Sequence, residues 1–528
     1  MTLAPVRRRL SLLVATAAAV ALTVGTGSSA LAKDAYPPTP DVACDKGSLP
    51  ETTQGRASLA DVNSGRAAKG YTCNARKLGH YGTVGGFRVT RYVDAAGHEC
   101  GYYDTTLLIG RDALKQGIDG TGVYVMDMTD PSHPTYLKTL ATAAMDSPHE
   151  SLRLNAKRGL LVAVLSTPAA AVGQVDVYDV SADCRNPVLK SSTPFGVLGH
   201  ESGFSPDGLT FYISSLYLHT LAAIALDDPS LPQLLWVSYD YQPHGMSVSD
   251  DGKRLYIAEA GFNSSDFSGL TILDTSAVQA RTLNPSVPLV SRTTWPNVGT
   301  PQYAEPFTQH GHKFLMEIDE YGSGASVGAG RILDMTNEKS PKVISNMRLQ
   351  VNQEANQASD QASDPGASLQ FQGYRGHYCS IATRVDPTMV ACTFINSGLR
   401  VFDITKPSKP QEIAYYNGPI VVSPNPILQG AFAMAAPVII PSRREIWYSD
   451  GNLGFFAVRL TAAAKRNPTL DVGAPSSGSG GGSSAGSGSG SGHGGGLATT
   501  GLSVGLPVAG LLFLGVAIGV RVRRRAAS

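Results

Sequence analysis

The chain has 528 residues, 43 basic and 42 acidic side chains, and a formal net charge of +1 at pH 7. So even a balance provides no polyelectrolyte surface, which argues against nucleic acid as a partner. Its 57 glycines and 33 prolines interrupt short β-rich runs, and long amphipathic helical periods are scarce, so the pattern favours an all-β class over a helical one. The chain opens with Arg7, Arg8 and Arg9, an apolar run from Leu10 to about Val24, and Ala30-Leu31-Ala32 before Lys33. A basic start, a short apolar core and an A-x-A site predict a secretory signal peptide over 1–32, served by export machinery and signal peptidase. The sequence leaves Sec and twin-arginine export open.

Residues 33–79 read as a loop-rich arm, and the repeats follow over 80–460. One pattern recurs: a glycine, a β-branched or aromatic run, then Asp and a turn. It reads GVYVMDMTDPSHP from Gly122, QVDVYDVSADCRNP from Gln174, GLTILDTS from Gly269, GRILDMTNEKSP from Gly330 and GLRVFDITKPSKP from Gly398. Degenerate copies start at Thr220 and Leu453, which makes seven. Spacings of roughly 45 to 70 residues are those of four-stranded propeller blades. The expected fold is a seven-bladed β-propeller, with a strand near Gly79 to Tyr92 completing the last blade beside Gly454 to Leu460.

A second pattern precedes the first in most repeats. HESGFSPDGLTFYISS from His200 and HGMSVSDDGKRLYIAE from His244 align without gaps, and His149 and His377 begin runs in the same frame. Each unit reads as strand, tight turn, strand, with SPDG and SDDG supplying the turn. Matching Ile318–Glu320 to Ile257–Glu259 puts Glu305 at the histidine position of its repeat, and Ala435 occupies it in the last. First strands line a propeller's channel, so His149, His200, His244, His377 and Glu305 are the candidate ligands of a divalent transition metal: copper, zinc or iron. Glu150 and Glu201 follow two of these histidines. The competing role for the histidines is structural, bonding the backbone of the next blade or channel water. His310 and His312 flank Gly311 and read as an exposed turn. Glu317, Asp319 and Glu320 read as solvated or turn-stabilising, with cation binding as the alternative. No nucleophile elbow, zinc-protease helix or phosphate-cradling loop is present.

All six cysteines lie in the exported part, an even count that suggests disulfides. Cys379 and Cys392 flank a hairpin turn at Arg384–Pro387 and are the first expected pair. Cys44 with Cys73 would tie down the arm, which leaves Cys100 with Cys184. A thiolate metal site is the alternative, but no C-x-x-C pair supports it.

GVYVMDMTDPSHP and GLRVFDITKPSKP resemble LVIVD repeats, found in β-propeller proteins of largely unassigned function. The H-x-x-x-x-S-x-D-G hairpin also resembles a wider set of propellers that includes selenium-binding, methanethiol-oxidase-type proteins. Beyond a connecting segment, 461–474, comes a Gly/Ser linker over 475–496, which predicts a flexible coil. Leu497-Ala498-Thr499-Thr500-Gly501, an apolar stretch over 502–520 and a basic tail over 521–528 complete the chain. An apolar stretch followed by arginines predicts a transmembrane helix with its basic end in the cytoplasm. LATTG in that setting resembles the LAxTG sorting signal of high-GC Gram-positive, actinobacterial-type cells. The resemblance implies sortase cleavage between Thr500 and Gly501 and transfer to a peptidoglycan precursor. The expected product is a surface-anchored extracellular propeller acting as a binding or interaction module. The alternative is an extracellular metal-dependent oxidase or hydrolase that uses the channel histidines.

Overall fold

The computed structural model describes residues 36–106, 122–166, 173–196, 199–263, 265–322, 324, 326–367, 373–420 and 429–471. The signal peptide, Gly/Ser linker, LATTG motif, transmembrane stretch and basic tail read from the sequence lie outside these residues. Among the described residues no helix is long and apolar enough to cross a membrane.

Seven antiparallel sheets follow one another along the chain. Blade 1 comprises Val89–Val93, Glu99–Asp104, Val123–Asp127 and Thr135–Leu140. Blade 2 comprises Arg153–Asn155, Leu160–Val164, Val175–Asp179 and Val188–Thr193. Blade 3 comprises Gly203–Phe204, Thr210–Ser215, Thr220–Ala225 and Gln233–Ser238, and blade 4 Pro243–Val248, Arg254–Ala260, Ser268–Asp274 and Leu289–Thr293. Blade 5 comprises Pro301–Gln309, His312–Asp319, Gly330–Asp334 and Lys342–Met347. Blade 6 comprises Gly376–Ile381, Met389–Phe394, Gly398–Asp403 and Gln411–Asn417. Blade 7 comprises Val438–Ile440, Glu445–Asp450, Gly454–Leu460 and, out of chain order, Ala75–Tyr81. The first strands of neighbouring blades touch around a closed circuit, blade 7 against blade 1. The fold is therefore a seven-bladed β-propeller.

Closure comes from the N-terminal side. Ala75–Tyr81 pairs with Gly454–Leu460, from Ala75 opposite Leu460 to Tyr81 opposite Phe455. Just before it, Tyr71–Cys73 adds a fifth strand to blade 6, with Tyr71 opposite Asn417. The stretch expected to close the ring, Gly79 to Tyr92, is thus divided: its start belongs to blade 7, and Val89–Val93 opens blade 1.

Alternation along each strand builds the core. In blade 2, Leu160, Val162 and Val164 pack with Phe211, Ile213 and Ile224 of blade 3, while Leu161 and Ala163 pack with Tyr102, Val123 and Val125 of blade 1. Each of the seven interfaces between blades has such a cluster, down to Trp447, Phe455 and Ala457 of blade 7 against Val89, Tyr103 and Met126 of blade 1. Disulfides join Cys44 to Cys73, Cys100 to Cys184 and Cys379 to Cys392, and no free cysteine is present. The first holds the arm to the added strand, the second links blades 1 and 2, and the third joins residues directly opposite in blade 6. Three disulfides fit an oxidising location. The arm is also fixed by Arg400, buried and bonded to both oxygens of Glu51 at 2.7 Å and to Glu412 at 3.1 Å.

A carboxylate at or near the end of several second strands holds the loop that leads into the first strand of the same blade. Asp104 accepts from the Phe87 and Arg88 amides at 2.9 and 2.7 Å, Glu259 from Gln242 at 3.0 Å, Asp319 from Gly299 at 2.8 Å and Asp450 from Phe432 at 3.0 Å. Burial pushes Asp104 up to about 7 and Asp450 up to about 6, despite these amide donors. The folded protein therefore keeps protons that the unfolded chain, with an ordinary aspartate value near 3.9, has released. This contribution to stability is full at the acid end and falls as pH rises from about 4 through these values. Denaturant unfolding between pH 4.5 and 7.5 should show it. Asp450→Asn should lose less stability across that range than the parent chain, by about 2 kcal/mol.

Candidate functional site

The four histidines stand where blades 2, 3, 4 and 6 meet the channel. His244 and His377 are the second residues of Pro243–Val248 and Gly376–Ile381, while His149 and His200 come just before the first strands of blades 2 and 3. In blades 4 and 6 the ladder slips at the histidine: Pro243 faces Glu259 but Gly245 faces Ala258, and Gly376 faces Phe394 but Tyr378 faces Thr393. A bulge of this kind re-aims the side chain it carries. The neighbouring first strands also come very close, since a Cβ on Gly245 would stand 2.1 Å from the Gln302 carbonyl.

The same slip in blade 5 falls between Pro301 and Tyr303, so Gln302, not Glu305, holds the equivalent position. Glu305 lies three residues further along, 3.4 Å from Arg384. The reason is the long hairpin of blade 5: Pro301–Gln309 with His312–Asp319 extends beyond its counterpart in blade 4, so matching from the second strand back across the turn stops short of Gln302. In blade 7 Ala435 belongs to the core against blade 1. His310 and His312 sit exposed at the tip of the long hairpin.

Backbone carbonyls fix three of the four rings. His200 Nδ1 donates to the His244 carbonyl at 2.9 Å, His244 Nδ1 to that of Pro301 at 2.7 Å, and His377 Nδ1 to that of Met434 at 2.6 Å. A carbonyl only accepts, so each Nδ1 carries a proton and Nε2 is left for other partners. His149 has a left-handed backbone, φ 47°, and its ring lies edge-on to those of Phe87 at 4.3 Å and His200 at 4.8 Å. Its Nδ1 is buried without a hydrogen-bond partner.

Two carboxylates lie among these rings. Glu150, 2% exposed, accepts from Tyr378 Oη at 2.5 Å and from Gln302 Nε2, and its Oε2 is 3.2 Å from His200 Nδ1. Its Oε1 is 3.5 Å from His149 Nε2 and 3.3 Å from His377 Nε2. Glu320 lies between two histidines, with Oε1 3.4 Å from His377 Nε2 and Oε2 3.4 Å from His244 Nε2. His377 Nε2 is within ion-pair reach of both carboxylates but is aligned for a hydrogen bond to neither. A third carboxylate, Glu201, binds Arg88 and Arg153, whose guanidinium groups stack over Tyr378 at 4.8 Å and Tyr303 at 5.2 Å.

Electrostatics divide the histidines. Burial lowers His149, His200 and His244, the last to about 4, so their imidazoles are neutral at physiological pH. Burial acts the same way on His377, but Glu150 and Glu320 outweigh it and push that ring up to about 10. Burial opposes ionisation of Glu150, yet His200, His149 and His377 together hold it well below the ordinary carboxylate range. Neutral imidazole is the form that ligates metals. One ligand atom each from His149, Glu150 and His200 lies within 4.8 Å of the others, a grouping that can hold a metal ion.

Glu317, Asp319 and Glu320 are buried, contrary to the solvated role expected of them. Glu317 and Asp319 clasp Arg331, with Asp319 at 2.7 Å, and Glu320 reaches the histidines. Alternation contained the signal, since 317 and 319 share one face of the strand and 320 is out of phase. Tyr378 and Arg88 carry no sequence signal, and that of Gln302, its place at the histidine position, is displaced by the longer hairpin. A second grouping, Asp94, His98 and Asp183, is a turn clasp beside the Cys100–Cys184 bridge: Asp94 accepts from the amides of Ala96, His98 and Cys184.

No family profile matches the chain, and no curated protein sequence matches it. Solved structures do resemble it. A Pseudomonas aeruginosa periplasmic gluconolactonase is 13% identical at a TM-score of 0.41, covering 66% of this chain and 94% of the other. U3-55K is 9% identical at 0.45, covering 73% and 98%. Kuenenia stuttgartiensis hydrazine synthase is 14% identical at 0.37, covering 58% and 74%. The architecture stated above rests on the sheet topology.

Breaking a buried charge pair by removing one partner costs about 3–5 kcal/mol. Arg88→Met leaves Glu201 to Arg153 alone, so a loss of about 3 kcal/mol in denaturant unfolding is expected. A loss below about 0.5 kcal/mol would mean that Arg88 does not compensate Glu201.

Proposed function

We propose that this chain is an exported, cell-surface-anchored binding propeller that takes a divalent transition cation (copper, zinc or iron) at the channel end formed by His149, Glu150 and His200. The observation that carries the reading is the spacing between imidazole and carboxylate. A charge-assisted N–H···O bond is about 2.7–2.9 Å long. Two ligands at about 2.0–2.2 Å from one tetrahedral cation stand about 3.3–3.6 Å apart. His149 Nε2 is 3.5 Å from Glu150 Oε1, beyond the first range and inside the second. The carbonyl that orients His200 is the kind of outer partner that metal-binding histidines have. Two imidazoles and one carboxylate also leave coordination positions open, which supports catalysis at the ion, as an oxidase or hydrolase, as a second reading.

Surface anchoring rests on the sequence. The apolar run and A-x-A site before Lys33 support export, and LATTG before an apolar stretch and arginines supports sortase transfer to a peptidoglycan precursor. Three disulfides suit the same location. The LVIVD-like repeats support the propeller but name no ligand.

Two measurements test these proposals. Full-length protein made in an oxidising compartment should retain near-stoichiometric metal by elemental mass spectrometry, and folded Glu150→Gln should lose at least ten-fold in affinity. Protein that stays empty after incubation with zinc, copper and ferrous iron would rule the metal reading out. In the producing cell, Thr500→Ala should move the chain from the wall fraction to the membrane and medium; an unchanged wall fraction would rule sortase anchoring out.

A further inference from the structure

Blade 3 differs from the other six at its outer edge. The outer strands of blades 1, 2, 4 and 5 carry Lys138, Lys190, Arg292 and Lys342, and that of blade 7 carries Arg76 and Lys77. The outer strand of blade 6 is joined by Tyr71–Cys73. Basic side chains on an edge, or a strand laid over it, keep its unpaired backbone groups from other chains. Gln233–Ser238 of blade 3 has neither protection: it reads QLLWVS, without a charge. Blade 3 also has six of the sixteen exposed large apolar side chains among the described residues, more than any other blade. Four of them, Leu231, Leu234, Val237 and Tyr239, lie in or beside this strand. A run of apolar side chains along an open edge marks an interaction surface, which single scattered ones do not.

We infer that two copies of this chain associate through the outer strands of blade 3, paired antiparallel about Ser238. Blade 6 shows where an outer strand accepts another. Its ladder slips between Val401 and Phe402, and beyond the slip residues 415–417 pair antiparallel with Tyr71–Cys73. Blade 3 has the same slip, with Trp236 opposite Ala223 where blade 6 has Ala414 opposite Val401. The equivalent stretch is therefore Val237-Ser238-Tyr239, which is complementary to itself. A two-fold axis at Ser238 sets Ser238 opposite its copy and Val237 opposite Tyr239, a β-branched residue against an aromatic one. Asp240 falls opposite Trp236, so no like charges meet. The tether does not interfere. Leu470, at the end of the described chain, lines one cleft with Tyr36, Pro341 and Pro410, so the chain leaves the rim at blades 5 and 6. Two copies held on one surface would then meet edge to edge at blade 3 with both channels open. The inference does not depend on the cation reading.

The test is sedimentation velocity of the full-length protein in mild detergent, across a dilution series up to high micromolar concentration. Wild type should show a reversible monomer–dimer equilibrium. Val237→Lys and Tyr239→Lys, each restoring the basic edge that other blades have, should weaken dimerisation by about ten-fold or more, because each substitution acts twice across a two-fold interface. Thr135→Lys, on the outer strand of blade 1, should leave it unchanged. Circular dichroism and thermal melts establish that the variants fold. A monomer at every concentration would overturn the inference. A dimer that persists in both folded blade 3 variants, or that weakens equally in Thr135→Lys, would overturn its placement.

Discussion

The pairing of Ala75–Tyr81 with Gly454–Leu460 closes the circuit on which the rest of the structure depends. A single blade has two apolar faces and no core of its own. Every blade therefore needs a neighbour on each side, and only a closed ring provides one for blades 1 and 7. The closing strand precedes the repeats in sequence, so the first residues of the folded domain complete its last sheet. Just before it, Tyr71–Cys73 joins blade 6, and the Cys44–Cys73 bridge ties the arm to that strand. The arm and the closure are one device.

Ring closure also dictates what happens at the axis. Seven first strands must converge there, and their leading residues are taken out of water whatever their chemistry. Between blades this chain fills the space with valine, isoleucine, leucine and aromatic rings. At the channel end it places four histidines, Glu150, Glu201, Glu320 and Arg88, with the half-buried Arg153 beside them. Burying charge is costly, and well-packed apolar residues of similar volume are often the more stable filling. The chain nevertheless retains these ionisable groups together, with three of the four rings oriented by carbonyls of the next blade.

Much of the fold is legible in the repeats. Gly-run-Asp recurs seven times, preceded in most repeats by the strand-turn-strand unit, because each blade solves the same packing problem, and SPDG and SDDG mark two of the tight turns. Four of the site's histidines are legible for the same reason: duplication keeps a residue at one position of the repeat. Glu305 misleads because repeat counting assumes equal hairpins, and the hairpin of blade 5 is longer than that of blade 4. Gln302 stands at the histidine position of its repeat but is hidden by that longer hairpin, while Tyr378 and Arg88 come from other positions or precede the repeats, so no periodicity points to them.

The sequence by itself determined the blade number, the strand-turn-strand unit that opens most repeats and the turn chemistry. These follow from local propensity and period, which act over a few residues. Only the tertiary structure decided which carboxylates meet those histidines, which ring nitrogens are tied to carbonyls and which imidazole is charged. Those depend on distances between blades far apart in sequence, such as Glu150 to Tyr378 and His377, set by how tightly the first strands crowd the axis.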